Sequence, residues 1–177
     1  SETQFKQAFE HSLIVMALIS PEGECKRVNK SLCQILGYTE EEMKAMTIQD
    51  ITHPDDIKGS LDILNDLAKG NIEEVKYEKR YIHKNGAPIW VVIAATMLYD
   101  SSGKPLHYVS QIEDITKRKE IENDLVLSEK KYRTIFENVQ DVFYQTNQEG
   151  IVTEISPSIA QHSGYNRNEI IGMPVDH

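Results

Sequence analysis

The chain has 177 residues, 40% of them hydrophobic and 27% charged, enough for one full domain and a remainder without a disulfide or metal staple. Nineteen Lys+Arg stand against 28 Asp+Glu, a net charge of −9. The one basic cluster, Lys117-Arg118-Lys119, is followed at once by acids, so the basic stripe that nucleic-acid binding needs is missing. No apolar run reaches the ~18 residues that span a bilayer, and the N-terminus shows no secretory pattern. Cys25 and Cys33 form neither a CxxC nor a disulfide framework. A cytoplasmic protein without membrane contact is expected.

The spacing of Phe5, Ala8, Phe9 and Ser12 predicts a short opening helix. Residues 13–19 read as a strand, 21–24 as a turn and 25–29 as a second strand. Two short helices follow. The first covers 31–36 and ends at Gly37, and the second is capped by Thr39 with Glu42 three residues on. His53-Pro54-Asp55-Asp56 suits the first turn of a longer helix, in which Ile57, Leu61, Leu64 and Ala68 form one apolar stripe and Gly70 is the stop. Three strands finish the unit. Residues 75–82 alternate loosely, Lys84-Asn85-Gly86 is a hairpin turn, and residues 89–99 are apolar on both faces, so both faces are expected to be covered. A turn at 101–105 leads into a last strand at 106–113. Five strands, with the helices between the second and third, predict an α+β fold: an antiparallel sheet with helices packed on one face. From 117 to 137 there is neither Gly nor Pro, and helix formers dominate. Ile121, Leu125, Ser128, Tyr132 and Ile135 are spaced 4-3-4-3 there, a heptad seam.

Set against itself at an offset of 127 residues, the sequence repeats. FEHSLIV faces FENVQDV, PEGE faces QEGI, and LGYTEEEMKAM faces SGYNRNEIIGM. Identities such as Gly37/Gly164, Tyr38/Tyr165 and Glu42/Glu169 are among 11 in 44 aligned positions. Self-similarity of this kind marks a repeated structural unit. The expected organisation is a complete domain at 1–116, an amphipathic linker helix at 117–137 and the front of a second copy at 138–177.

NKSLCQILGY at 29–38, HPDD at 53–56, KNGAPIW at 84–90 and EDITKRK at 113–119, in that order and with a tandem copy, resemble the PAS domain, the sensory box of bacterial and archaeal signalling proteins. The resemblance implies a five-stranded antiparallel sheet in the order 2-1-5-4-3 and a linker helix that carries a signal. It also implies a cavity between sheet and helices, expected to be small and mostly apolar, lined by Leu36, Met46, Ile48, Leu61, Leu64 and Ile112. Asp114 and Thr116 are expected to fix the junction between the last strand and the linker.

Light-sensing members hold flavin through a Gly-x-Asn-Cys stretch. Here the corresponding residues are Ala45-Met46-Thr47-Ile48, with Ile48 at the place of the reactive thiol. A flavin-bonding glutamine falls at Ile112, with Gln111 one residue out. Haem-binding members carry a histidine on the long helix, and residues 55–69 contain none; His53 suits a polar role at the helix start. No cofactor is therefore expected, while an unknown small ligand is admitted. No His/Cys/Asp cluster has metal-ligand spacing, Cys33 reads as a buried small hydrophobe, and Trp90, Tyr77, Tyr81 and Tyr108 read as strand and core residues.

No catalytic motif occurs. The resemblance points to a non-catalytic sensory and dimerisation module of a multidomain signalling protein, with a sensor histidine kinase as the leading parent and a diguanylate cyclase as the runner-up. A cofactor-bearing photo- or redox receptor and a purely structural spacer are the alternatives. Self-association is expected, either through the seam or by docking of residues 132–177 on a second copy. A lone amphipathic spacer and a disordered tail are the competing expectations.

Overall fold

A computed structural model describes residues 1–176. They form two compact units, residues 1–119 and residues 120–176.

The first unit opens with α1 (Glu2–Glu10), whose N-cap Ser1 forms a capping box with Gln4. Strand β1 (Val15–Ile19) follows and pairs with β2 (Cys25–Val28). The expected strand start at Leu13 is two residues early: Leu13 is 98% exposed, and pairing with the last strand begins at Val15. Asn29 does two jobs at the end of β2. Its side-chain oxygen accepts from the backbone N–H of Leu32 and of Met16, and its amide donates to the Ile14 carbonyl at 2.7 Å. It thereby caps α2 (Lys30–Leu36) and ties that helix to β1. Gly37 ends α2 at φ 78°, where a Cβ would stand 2.6 Å from the His83 ring. Positive φ and that close approach both demand glycine.

Helix α3 (Glu40–Lys44) carries the expected Thr39/Glu42 capping box. The long helix α4 (Pro54–Ala68) starts at His53, whose Nδ1 accepts from the Asp55 N–H. Ser60, Leu64 and Leu67 are its buried residues. Tyr108 donates to the Leu64 carbonyl and Tyr99 to the Leu67 carbonyl, holding the C-terminal half of α4 to the sheet.

The remaining strands, β3 (Glu74–Ile82), β4 (Pro88–Tyr99) and β5 (Pro105–Asp114), complete an antiparallel sheet in the order β2-β1-β5-β4-β3. This is the expected topology. Register places Val15, Ile112, Ile93 and Tyr77 in one inward row, and Ala17, Ser110, Ala95 and Val75 in the next. The outer face of β4 is covered only in part: Val92 is buried, Trp90 and Ala94 are half-buried, and Thr96 and Leu98 are exposed. The continuous apolar run at 89–99 thus reflects a tolerant outer face and not a second layer.

Helix α5 (Thr116–Asn138) follows β5 directly. In the second unit, β6 (Tyr144–Thr146) pairs with β7 (Val152–Ile155), and α6 (Ile159–Ser163) and α7 (Arg167–Ile170) follow. Phe136, Val152 and Ile155 are buried there, while Phe143, Tyr144 and Tyr165 are exposed. No helix among the described residues is long and apolar enough to cross a membrane.

Candidate functional site

Strand β3 supplies the central feature of the inner cavity. Its side chains alternate, so Val75, Tyr77, Lys79 and Tyr81 share the face that meets the helices. Lys79 is only 3% exposed. Its Nζ donates to Ser60 Oγ on α4 at 2.9 Å and to Thr52 Oγ1 at 3.3 Å. Each hydroxyl has a further partner: Thr52 donates to the Ile48 carbonyl, and Ser60 lies 3.3 Å from the Tyr77 hydroxyl. The ammonium also stands over the Tyr81 ring, 4.8 Å from its centroid.

Burial pushes the Lys79 ammonium down to about 7, with Asp56 and Cys25 pulling weakly the other way. Among the described residues it has no carboxylate partner. Asp56 is engaged elsewhere: Arg80, the next residue along β3 and on the opposite face, binds both its carboxylate oxygens through Nε and Nη2 at 2.9 and 2.8 Å. The Arg80 backbone N–H donates to the same carboxylate at 2.8 Å, and this arginine holds Asp56 below the usual carboxylate range.

The cavity measures about 10 Å3 and is lined by Ile48, Leu64, Tyr77, Lys79, Tyr81 and Ser110, with Ala17, Ile19, Ile93 and Tyr108. Ala17 and Ser110 face each other across β1 and β5, and their small side chains leave the room. Of the six residues expected to line it, Ile48 and Leu64 do. Leu36 is fully buried under α2, Met46 packs against the core from its edge, and Ile112 is buried on the inner face without lining the cavity. Leu61 is the clear correction, at 38% exposed. Ser60, Leu64 and Leu67 set the inward stripe of α4, and Leu61 follows Ser60 by one residue, a turn of about 100°. The lining is mostly apolar, with Lys79 as its one charged side chain and hydroxyls from Ser110, Tyr77, Tyr81 and Tyr108. Ile48 offers no thiol, and Gln111 lies on the outer face, exposed.

Cys25 is buried, which pushes its thiol up to about 11, and burial raises Cys33 as well; neither has the stabilised thiolate of a redox sensor. Among the described residues no three His, Cys, Asp or Glu are grouped to hold a metal.

A second cluster occupies the outer face where α5 begins. The Asp114 carboxylate accepts from the Thr116 N–H at 2.9 Å, the Thr116 hydroxyl accepts from the Trp90 N–H at 3.0 Å, and the Ile115 N–H donates to the Trp90 carbonyl at 2.8 Å. Two cations stand over the Trp90 ring, Arg80 Cζ at 5.3 Å and Lys119 Nζ at 5.1 Å from its centroid. Glu78 pairs with Lys119 at 2.5 Å and Arg118 at 3.1 Å. Asp114 and Thr116 therefore do sit at the junction, and Trp90, Arg80, Glu78 and Lys119 were not legible as its partners. The seam residues Ile121, Leu125, Ser128, Tyr132 and Ile135 are all exposed, and Tyr132 stacks on Phe136 with centroids 5.7 Å apart.

Residues 26–112 match the PAS fold family and residues 140–176 the PAS domain family. The chain belongs to the PAS family, with one domain and the start of a second. It is 41% identical over 122 residues to the "Probable diguanylate cyclase DgcE" of Escherichia coli (strain K12), covering 69% of this chain and 11% of that protein. It is 26% identical over 125 residues to the sensor histidine kinase TmoS of Ectopseudomonas mendocina, covering 71% of this chain and 13% of that one. The chain thus spans about a tenth of the length of these relatives. A crystal structure of a PAS domain from Colwellia psychrerythraea superposes with a TM-score of 0.58 at 21% identity, covering 66% of this chain and 98% of that one. A PAS sensory module of a signal-transduction protein is the class that these likenesses define.

Proposed function

We propose that the chain is the sensory and dimerisation module of a cytoplasmic multidomain signalling protein, non-catalytic in itself, relaying a change at the cavity or at a dimer interface through α5. The observation that carries this is the continuity of β3 and the junction. Lys79 faces the cavity, Arg80 beside it faces outward, and Arg80 shares the Trp90 ring with Lys119 on α5. A shift of β3 by a guest or by a partner moves one cation of that pair relative to the other. The relay is a population shift between two arrangements of the first turn of α5. The exposed seam from Ile121 to Ile135 supports pairing with a second copy.

For the output domain of the parent, the 41% identity to a cyclase favours a diguanylate cyclase over the sensor kinase expected from the motifs. The junction is tested by hydrogen exchange. In the double variant Asp114→Ala, Thr116→Val, the amides of residues 116–119 are expected to exchange at least tenfold faster while those of β4 stay protected. Equal exchange in both proteins overturns the relay. We further propose that no flavin or haem is bound. After dialysis the purified chain is expected to show no visible absorption band, and a retained band reverses this.

A further inference from the structure

Lys79 is an interior cation with three N–H donors, two of which reach Ser60 and Thr52. Burying a charge without a partner is costly, and the carboxylate whose field reaches it, Asp56, is held in a fork by Arg80. The third donor has the cavity beside it, together with the hydroxyl-bearing side chains of Ser110 and Tyr81. A cavity of about 10 Å3 admits one water-sized centre. Size and charge together restrict the guest.

We propose that this cavity binds one small monovalent anion, a halide or formate, as the counter-ion of Lys79. The inference rests on reading the domain as a sensor, and names the ligand class that its cavity takes. The apolar wall of Ile19, Ile48, Leu64 and Ile93 excludes a second charge or a hydrated ion. Anion entry stabilises the ammonium, so near pH 8, where burial leaves Lys79 largely neutral, binding takes up a proton. Near pH 6 it takes up none.

The test uses the full chain in sodium gluconate, an anion too bulky for the cavity, with gluconate replaced stepwise by chloride or by formate at constant ionic strength. A rise in Tm of roughly 3–5 °C is expected once the anion reaches ten times its dissociation constant, and beyond that it grows with the logarithm of anion concentration. The chloride and formate arms show which of the two sources fits. Lys79→Met and the polar Lys79→Gln are both expected to lose the rise. Calorimetry of the same titration in two buffers of different ionisation enthalpy is expected to show proton uptake near pH 8 only. No rise in Tm with either anion, an equal rise in either variant, or binding without proton uptake near pH 8 overturns the inference. If the anion fails while the junction exchange responds as expected, the sensory reading stands and only the ligand class falls.

Discussion

Folding lowers the Lys79 ammonium to about 7 from its ordinary 10.5 because burial penalises the charged form. Above about pH 7 the unfolded chain therefore holds more protons than the folded one, and stability rises with pH. The slope approaches about 1.4 kcal/mol per pH unit for one proton. Below about 7 both states are protonated and the whole penalty is present. Cys25, whose thiol is raised to about 11 from 9.0, acts in the opposite sense above about pH 9, so the clean window is pH 7 to 8.5. Lys79→Met is expected to unfold at a higher urea midpoint than the native chain at pH 7, and to lose the upward slope across that window. A variant less stable at pH 7, or one that keeps the slope, would show that the ammonium is not penalised. The lysine was legible in principle. Its phase with Tyr77 and Tyr81 puts it on the inner face, but a lysine in a loosely alternating strand reads as solvated. The pairing of Asp56 with Arg80 joins a helix start to a strand across the chain and leaves no local signal.

At the scale of elements, the helices were read closely where capping chemistry is local. Thr39 with Glu42, Gly37 and the His53-Pro54 start all stand where the sequence places them. The face of α4 was read only in part: Leu64 is buried and Ala68 packs against the core, but Leu61 is exposed while Ser60 and Leu67 are buried. Ser60 is buried and accepts from Lys79, and an apolar count does not register a buried hydroxyl. Leu64→Ala is expected to cost about 2–4 kcal/mol by urea unfolding, as a buried Leu→Ala does. Leu61→Ala is expected to stay within about 0.5 kcal/mol. Equal costs would restore the stripe read from sequence. The same reasoning explains β4: an apolar run predicts two covered faces, yet Thr96 and Leu98 stay exposed because an antiparallel sheet needs only one.

For the whole molecule, the repeat in sequence is a repeat in geometry. Asn29 binds the Met16 N–H and the Ile14 carbonyl, and Ser156, its counterpart, binds the Phe143 N–H and the Asp141 carbonyl. Phe9 and Phe136 are both buried and both stacked on an aromatic one turn earlier. The Met46 carbonyl accepts from Cys25, and the Met173 carbonyl from Val152. The copies differ in cover. Ala17 of β1, a strand paired on both sides by β2 and β5, is 1% exposed, whereas Tyr144 of β6 is 54% exposed, its strand paired only with β7 among the described residues. A two-stranded sheet with an open apolar face is marginal alone, which favours association of two chains through this unit and the seam. Light scattering at about 100 μM, where even a micromolar dimer is saturated, is expected to give a dimer for residues 1–177 and a monomer for a chain ending at Arg133. Equal masses for the two would remove residues 134–177 from the interface. Trp90 adds a last consequence. It is the single tryptophan among 177 residues, and Arg80 and Lys119 stand over its ring where the sheet passes into α5. Its emission colour and quenching in the intact chain therefore come from that one joint, so the protein carries a built-in optical gauge of the proposed relay.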